Sequence, residues 1–242
     1  MIGAATPYEL LVGHPDRSRP MVTHYDGPDR RVELSVASVA NAVAKAAGLL
    51  CDELGFAPGE RVSVDLPRHW QLPVWVLAAL SVGARCGRDL AGPVEVRVVG
   101  PDRLAELRAG AEPGAREVLA CSCDSFGMPV PGGVPAGILD VGVEARAQPD
   151  VFFAQPQAAA AACLHVGGDV VAWPDLLAAR PGAAGGPGPR LWVDETTAAP
   201  RLLHAVAIAP LLTGGSVVIG THLSPAQAER IRAVERIDEQ GS

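Results

Sequence analysis

The residues that could hold a phosphate group lie in a glycine- and proline-rich tract in the second half of the chain. The tract reads PGAAGGPGP from residue 181 to residue 189, and Thr196 and Thr197 follow it closely. A phosphate cradle needs consecutive main-chain N–H groups close to a cation. This tract contains no hydroxyl and no lysine, and each of its three prolines removes a donor. We therefore interpret it as a linker or a shortened loop.

The five cysteines predict neither a metal site nor a disulfide framework. Cys121 and Cys123 are close in sequence, but no second Cys or His pair with ligand spacing lies nearby. On a strand their side chains would share one face, which suits two small apolar residues in a core. We expect no metal, and reduced thiols in a cytoplasmic protein.

Several polar side chains remain candidates for a binding or catalytic site. His165, His204 and His222 could meet in the folded chain, although the sequence does not place them. No Gly-x-Ser-x-Gly sequence is present, so no serine nucleophile is predicted. Asp65 ends a predicted strand, and open α/β sheets bind ligands at the carboxyl ends of strands. The alternative role for Asp65 is a turn or a helix cap.

Composition excludes several classes of partner. The 242 residues carry a formal net charge of −7, and only 4% of them are aromatic. A nucleic-acid surface would be basic and would offer aromatic rings for stacking, so we expect no nucleic acid. No leader-like segment and no apolar window of about 20 residues appears, so we expect no membrane as a partner.

The elements that must position these residues are best defined between residues 35 and 84. Apolar residues recur at helical spacing after Ser35, a predicted N-cap, and Gly55 is suited to end this helix in the left-handed conformation. A strand at Arg61–Leu66 and a second apolar helix at about 69–82 follow. This order predicts half of a doubly wound α/β unit.

The rest of the chain continues the alternation of strands and helices. Predicted strands lie at 21–25, 31–34, 94–99, 117–122, 151–153, 190–193 and 216–219, and predicted helices at 101–108, 138–150, 170–180, 197–212 and 224–237. Residues 157–162 stay undecided between helix and strand. The pattern predicts an α/β fold with a layered, mostly parallel sheet flanked by helices. It forms a single domain over 1–242, or two closely packed lobes that divide near 124–155.

One stretch, roughly residues 22–90, resembles a known family. The sequence VELS at residues 32–35, then NAVAKAAGLLCDELGFAPGERVSVDLP at 41–67 and WVLAALSVGA at 75–84, is similar to the start of adenylate-forming enzymes. That superfamily includes acyl-CoA synthetases, adenylation domains of peptide synthetases and luciferase. The resemblance returns at 201–219, where a helix ending in Leu-x-x-Gly-Gly precedes a buried strand. It implies the fold of the family's N-terminal region.

The resemblance also indicates what the family's chemistry would need. It implies that His204 lies beside an acyl pocket and that Thr196 and Thr197 lie near the phosphate loop. However, Ala-Ala-Pro follows these threonines instead of Gly-x-Pro-Lys, and Lys45 is the only lysine of the chain. The family's adenine motif, ribose-binding aspartate and C-terminal lid come later than the matched region. We therefore expect no cofactor and no autonomous adenylation.

Three hypotheses for function follow. The first is a non-catalytic, truncated homologue of adenylate-forming enzymes that retains a surface for a small molecule or a protein. Its candidate ligand-binding residues are His204, Asp65, Thr196 and Thr197. The second is a component of an AMP-forming acyl-activating ligase, completed by a partner chain and using ATP or AMP with Mg²⁺. The third is a structural protein that forms homo-oligomers.

Overall fold

The computed structural model describes residues 4–88, 90–180 and 188–238. The strands are β1 (Pro20–Asp26), β2 (Arg31–Ser35), β3 (Arg61–Asp65), β4 (Arg85–Gly87), β5 (Val94–Val99), β6 (Ala115–Ala120), β7 (Ile138–Asp140), β8 (Cys163–Val166), β9 (Asp169–Ala172), β10 (Arg190–Val193) and β11 (Ser216–Thr221). The α-helices are α1 (Pro7–Val12), α2 (Val36–Gly48), α3 (Gln71–Ser81), α4 (Pro101–Arg108), α5 (Val141–Ala147), α6 (Ala158–Ala161), α7 (Trp173–Ala178), α8 (Ala199–Leu203), α9 (Ala209–Thr213) and α10 (Pro225–Val234). Two π-helical segments, Leu49–Glu53 and His204–Ile208, continue α2 and join α8 to α9. Most of the glycine- and proline-rich tract, residues 181–187, lies outside the described residues.

The strands form two sheets. The four-stranded sheet has the order β10-β11-β1-β2, in which only the β1–β2 hairpin is antiparallel. The seven-stranded sheet has the order β7-β6-β5-β3-β4-β8-β9, and it is parallel except for the pair β8–β9. The mostly parallel α/β fold predicted from the sequence is therefore confirmed.

Helices fill the space between the two sheets. All 11 residues of α3 are buried, and this helix contacts β3 and β4. Its neighbours α2 and the helical segment 199–213 contact the four-stranded sheet. Burying a large apolar side chain is worth about 1.5–3 kcal/mol, so this layer supplies much of the stability. On the outer faces, α4 packs on the seven-stranded sheet and α10 on the four-stranded sheet.

The local signals at helix ends are confirmed. Ser35 is the N-cap of α2, and its hydroxyl accepts the main-chain N–H of Ser38. Gly55 has a φ of +61° and follows the π-helical extension, as the sequence predicts. Ser224 forms a capping box with Gln227 at the start of α10.

The predicted elements between residues 138 and 153 are partly wrong. Ile138–Asp140 forms β7 rather than the start of a helix, and Asp140 is the N-cap of the shorter α5. The predicted strand at 151–153 is absent from the described chain. Phe152 packs on Tyr8 and donates its main-chain N–H to the phenol oxygen at 3.3 Å, so this bond goes to a side chain instead of a sheet.

Two further helices differ from their predictions. Residues 169–172 form β9, because Gly167 and Gly168 both adopt positive φ and turn the chain back onto β8. The undecided stretch 157–162 contains the short α6 before β8. The predicted helix at 197–212 is interrupted by π-helical turns just before Pro210, which has no N–H to donate to the preceding turn.

The interpretation of Cys121 and Cys123 as neighbours on one strand is also wrong. Strand β6 ends at Ala120, and Cys123 has a φ of +53° in the loop that follows. Both thiols are free, and burial raises the pKa of Cys123 to about 12. Cys121 lies in the main apolar core and Cys123 packs against it, so the predicted role of both as small apolar core residues is confirmed.

Candidate functional site

A cleft of about 1310 Å³ lies between the β8–β9 edge of one sheet and the β10 edge of the other. Its floor is the helical segment 199–209, and α10 forms part of its outer wall. The wall from β8, β9 and α7 is mostly apolar, with Leu164, Val166, Val171 and Leu176, and Asp169 adds one carboxylate at the start of β9. Three arginines, Arg201, Arg232 and Arg236, line other parts of the cleft. The cleft can therefore receive a molecule that has both an apolar and a polar part.

The cleft brings together three of the four residues predicted from the sequence. Thr196 and Thr197 lie at the end of β10, and His204 lies on the π-helical segment of the floor. The imidazole of His204 reaches the open space of the cleft, and desolvation by the surrounding walls lowers its pKa. A neutral imidazole here can donate or accept a hydrogen bond.

The loop after β10 is organised around Asp194. Its carboxylate accepts the main-chain N–H of Thr196 at 2.9 Å and also the Thr196 hydroxyl. The indole N–H of Trp192 donates to it at 2.7 Å, and Arg232 lies at 3.3 Å. Partial burial raises the pKa of Asp194, but the bonds from Thr196 and Trp192 outweigh this effect and lower it overall. The side chain of Asp194 therefore stays ionised near neutral pH and holds the loop through these bonds.

Asp65 lies apart from the cleft, in a smaller recess of about 360 Å³. This recess is bounded by the carboxyl end of β3 and by the start of α4. Asp65 forms an ion pair with Arg97 of β5 and accepts the hydroxyl of Ser63 at 2.7 Å. The carboxylate thus has partners within the sheet.

His165 and His222 do not join His204. The side chain of His165 lies against Gly87 of β4, whereas its neighbours Leu164 and Val166 line the cleft. His222 bonds to Asp26 through Nδ1 at 2.7 Å. No group of three or more His, Cys, Asp or Glu side chains among the described residues could hold a metal ion.

The structures of known proteins show what this architecture resembles. An acyl-CoA synthetase of Brucella canis superposes with a TM-score of 0.75 at 16% identity, over 96% of this chain and 46% of that enzyme. Acetoacetyl-CoA synthetase of Streptomyces lividans gives a TM-score of 0.69 at 22% identity, over 96% of this chain and 41% of that enzyme. The N-terminal domain of FACL13 from Mycobacterium tuberculosis gives a TM-score of 0.71 at 13% identity, over 97% of this chain and 62% of that domain. The chain has the fold of the N-terminal domain of adenylate-forming enzymes.

Sequence comparison adds one relative. No protein-family model matches the sequence. A segment of 134 residues is 37% identical to a protein of Mycobacterium tuberculosis described as a TIGR03089 family protein, and it makes up 54% of each chain. The match thus spans about half of that relative, and the chain spans less than half of the two synthetases. Within the parts that the structure describes, no helix is long and apolar enough to cross a membrane.

Sequence reasoning missed two features of this structure. It considered Thr196 and Thr197 without the role of Asp194, which the spacing Asp-x-Thr-Thr could have indicated as a turn stabilised by its own carboxylate. It also missed His24 and His69, whose rings lie 4.6 Å apart between centroids. These two residues are 45 positions apart, and no sequence signal joins them.

Proposed function

We propose that this chain is a non-catalytic protein with the adenylate-forming fold that binds a small molecule in the cleft beside β10. The ligand would place an apolar part against the wall of β8, β9 and α7. Its polar part would face Thr196, His204 and the arginines of the cleft. No cofactor is part of this proposal, and the cytoplasm remains the predicted location.

The observation that supports a lack of phosphate chemistry is the bonding of Asp194. The N–H and hydroxyl donors of Thr196, which a phosphate would need, already bond to this carboxylate. The chain's only lysine, Lys45, donates instead to the carbonyl oxygen of Gln148 at 2.7 Å and pairs with Asp150 at 3.0 Å.

The experiment is a thermal-shift titration with a fatty acid, an acyl-adenylate mimic, coenzyme A, AMP and ATP with Mg²⁺. We expect a saturable rise in melting temperature with an acyl compound and none with ATP or AMP. Ala205→Leu adds bulk at the floor of the cleft, where it should block the ligand and abolish the rise. Its matched control is Ala105→Leu on the exposed side of α4, which should preserve the rise.

Two results would contradict the proposal. A rise with ATP and Mg²⁺ would mean that nucleotide binding survives, and the non-catalytic assignment would be wrong. An acyl-induced rise that persists in Ala205→Leu would place the ligand elsewhere. If no compound raises the melting temperature of a folded sample, the small-molecule proposal fails for these ligand classes.

A second candidate is a component of an AMP-forming acyl-activating ligase. It is favoured by the fold that this chain shares with acyl-CoA synthetases. A partner chain would supply the nucleotide-binding parts, with ATP or AMP and Mg²⁺ as ligands. Pyrophosphate–ATP exchange that appears only when that partner is added would support this candidate.

A third candidate is a structural protein that forms homo-oligomers. It is favoured by two aromatic side chains that lie open to solvent, Phe126 at 83% and Phe153 at 86% exposure. Exposed aromatic side chains of this size often belong to interfaces. Light scattering after size-exclusion chromatography would show an oligomer, and Phe153→Ser should dissociate it. A monomer at all concentrations would exclude this role.

A further inference from the structure

A side chain from the seven-stranded sheet holds the rim of the cleft from behind. Arg68 follows β3, and its terminal nitrogen donates to the carbonyl oxygen of Thr197 at 2.7 Å. Thr197 lines the cleft, whereas Arg68 does not. The loop after β10, which belongs to the four-stranded sheet, is therefore fixed in part by a residue of the other sheet.

Arg68 extends from a main chain that is packed on both sides. The preceding residue, Pro67, lies so close to Gly100 that a Cβ at this glycine would come within 2.6 Å of the proline ring. The following residue, His69, is 4% exposed, and its ring meets that of His24 with 4.6 Å between the centroids. A guanidinium that extends from such a packed connection can fix the position of its acceptor.

The two threonines of the loop use their hydroxyl groups differently. Thr196 donates its hydroxyl to the carboxylate of Asp194. The hydroxyl oxygen of Thr197 instead accepts the main-chain N–H of Asp194 at 3.2 Å, and the N–H of Thr197 donates to the carbonyl oxygen of Asp194 at 3.0 Å. A hydroxyl that accepts one bond can still donate another. The Thr197 hydroxyl can therefore donate its hydrogen to a molecule in the cleft.

We propose that Arg68 positions Thr197 for the ligand of the cleft, and that the Thr197 hydroxyl donates to an oxygen acceptor on the polar part of that ligand. This inference rests on the proposed function, because it takes the cleft as the binding site. Arg68 is a positioning residue that acts through the loop and does not touch the ligand. A carboxylate, ester or amide oxygen would each accept the hydroxyl hydrogen.

The charge of Arg68 suits this role. A hydrogen bond from a guanidinium is about twice as strong as one between two neutral groups. Together with the two bonds to Asp194, it holds the main chain and the side chain of Thr197 in one orientation. Loss of the bond from Arg68 would let the carbonyl group of Thr197 move, and the hydroxyl would lose its fixed direction.

The first measurement needs no ligand. Amide hydrogen exchange at Thr197 reports on the bond from its N–H to Asp194, and it should become about tenfold faster in Arg68→Met. Arg68→Lys keeps a charged donor and should restore slow exchange. If Arg68→Met does not fold, Arg68→Gln removes the charge but keeps a polar side chain, and it replaces Arg68→Met in both measurements.

The matched control is Arg61→Met. Arg61 also holds a loop through main-chain carbonyl oxygens, those of Pro93 at 2.7 Å and Ala91 at 2.8 Å. It does not line the cleft and has no bond to the loop after β10. Arg61→Met should therefore leave the amide exchange of Thr197 unchanged.

The second measurement is a calorimetric titration with dodecanoate. Arg68→Met and Thr197→Val should each raise the Kd about tenfold, whereas Thr197→Ser, which keeps the hydroxyl, should bind like the unaltered chain. The double variant should bind no more weakly than Thr197→Val alone, because both substitutions remove the same contact with the ligand. A contribution of Arg68 to stability alone would not produce this non-additivity.

Two kinds of result would overturn this inference and leave the proposed function intact. One is unchanged amide exchange at Thr197 in Arg68→Met. The other is dodecanoate binding that Thr197→Val does not weaken, or effects of the two substitutions that multiply in the double variant. If the unaltered chain does not bind dodecanoate at all, the proposed function fails for fatty acids, and the contact with Thr197 fails with it.

Discussion

The imidazole rings of His24 and His69 meet edge to face, with 4.6 Å between their centroids, and connect the two sheets. His24 belongs to β1 of the four-stranded sheet, and His69 follows β3 of the seven-stranded sheet. Both side chains are buried, at 3% and 4% exposure. The stability of this junction should therefore depend on the protonation of two rings.

We expect the free energy of unfolding to fall as the pH is lowered below about 6.5, the ordinary histidine pKa. Burial lowers the folded-state pKa of His24 to about 4 and of His69 to about 3, so the unfolded chain binds protons that the folded chain does not. Linkage then gives a loss of about 1 kcal/mol per ring between about pH 7.5 and about pH 5.5. Urea unfolding at the two pH values measures this loss.

The double variant His24→Gln, His69→Gln distinguishes the contribution of these two rings to the pH dependence of stability from that of all other titrating groups. Glutamine is polar but does not titrate, so the loss between the two pH values should shrink by about 2 kcal/mol in the double variant. An unchanged pH dependence would mean that other groups cause the loss.

Glu235 should stabilise the packing of α10 on the four-stranded sheet. Its carboxylate accepts bonds from Tyr25, from Arg31 at 2.8 Å and from Arg190. Burial raises its pKa, but these bonds outweigh burial and lower the pKa to about 2. Glu235→Gln would remove the carboxylate that Arg31 and Arg190 share and leave them only Glu33 as an ion-pair partner. It should cost about 2 kcal/mol in urea unfolding.

The control for this prediction is Glu229→Gln on the exposed surface of α10, which should change stability by no more than about 0.5 kcal/mol. Equal effects of the two substitutions would show that the loss of one surface charge, rather than the bonds of Glu235, is responsible.

Gly83 is required where the chain turns from α3 into β4. It has a φ of +87°, and a Cβ would lie 2.9 Å from the main chain of Ala158 and from Pro58. Gly83→Ala should therefore cost about 3 kcal/mol, from backbone strain and overpacking together. Gly110 has a φ of +95° and nothing within 4 Å of a Cβ, so Gly110→Ala should cost only about 1 kcal/mol. Similar losses in thermal denaturation would contradict the role of close packing at Gly83.

Asp194 should stabilise the loop after β10. Asp194→Ala removes the acceptor for Thr196 and Trp192 and should lower stability by about 1–2 kcal/mol. It should also change the fluorescence of Trp192, whose indole N–H loses its partner. Glu195→Ala is the neighbouring control, since this carboxylate accepts only the main-chain N–H of His222 in the described contacts. If Asp194→Ala changes neither the stability nor the fluorescence of Trp192, then contacts other than those of Asp194 fix the loop.

The sequence by itself determined the elements whose signals are local. The caps at Ser35 and Ser224, the left-handed residue at Gly55 and the β-branched run of β5 each depend on neighbours within one or two turns. These signals define the order of strands and helices, and the parallel fold follows from that order. The resemblance of residues 22–90 to adenylate-forming enzymes also needed no structure.

Only the tertiary structure decided how distant side chains meet. The ring contact of His24 with His69, the cleft that His204 and Thr196 both line and the pairing of Asp65 with Arg97 join residues from different elements. The strand predicted at 151–153 failed because Tyr8 takes the main-chain N–H of Phe152. Propensity is a local property, whereas hydrogen-bond partners and burial are set by residues far away in the chain.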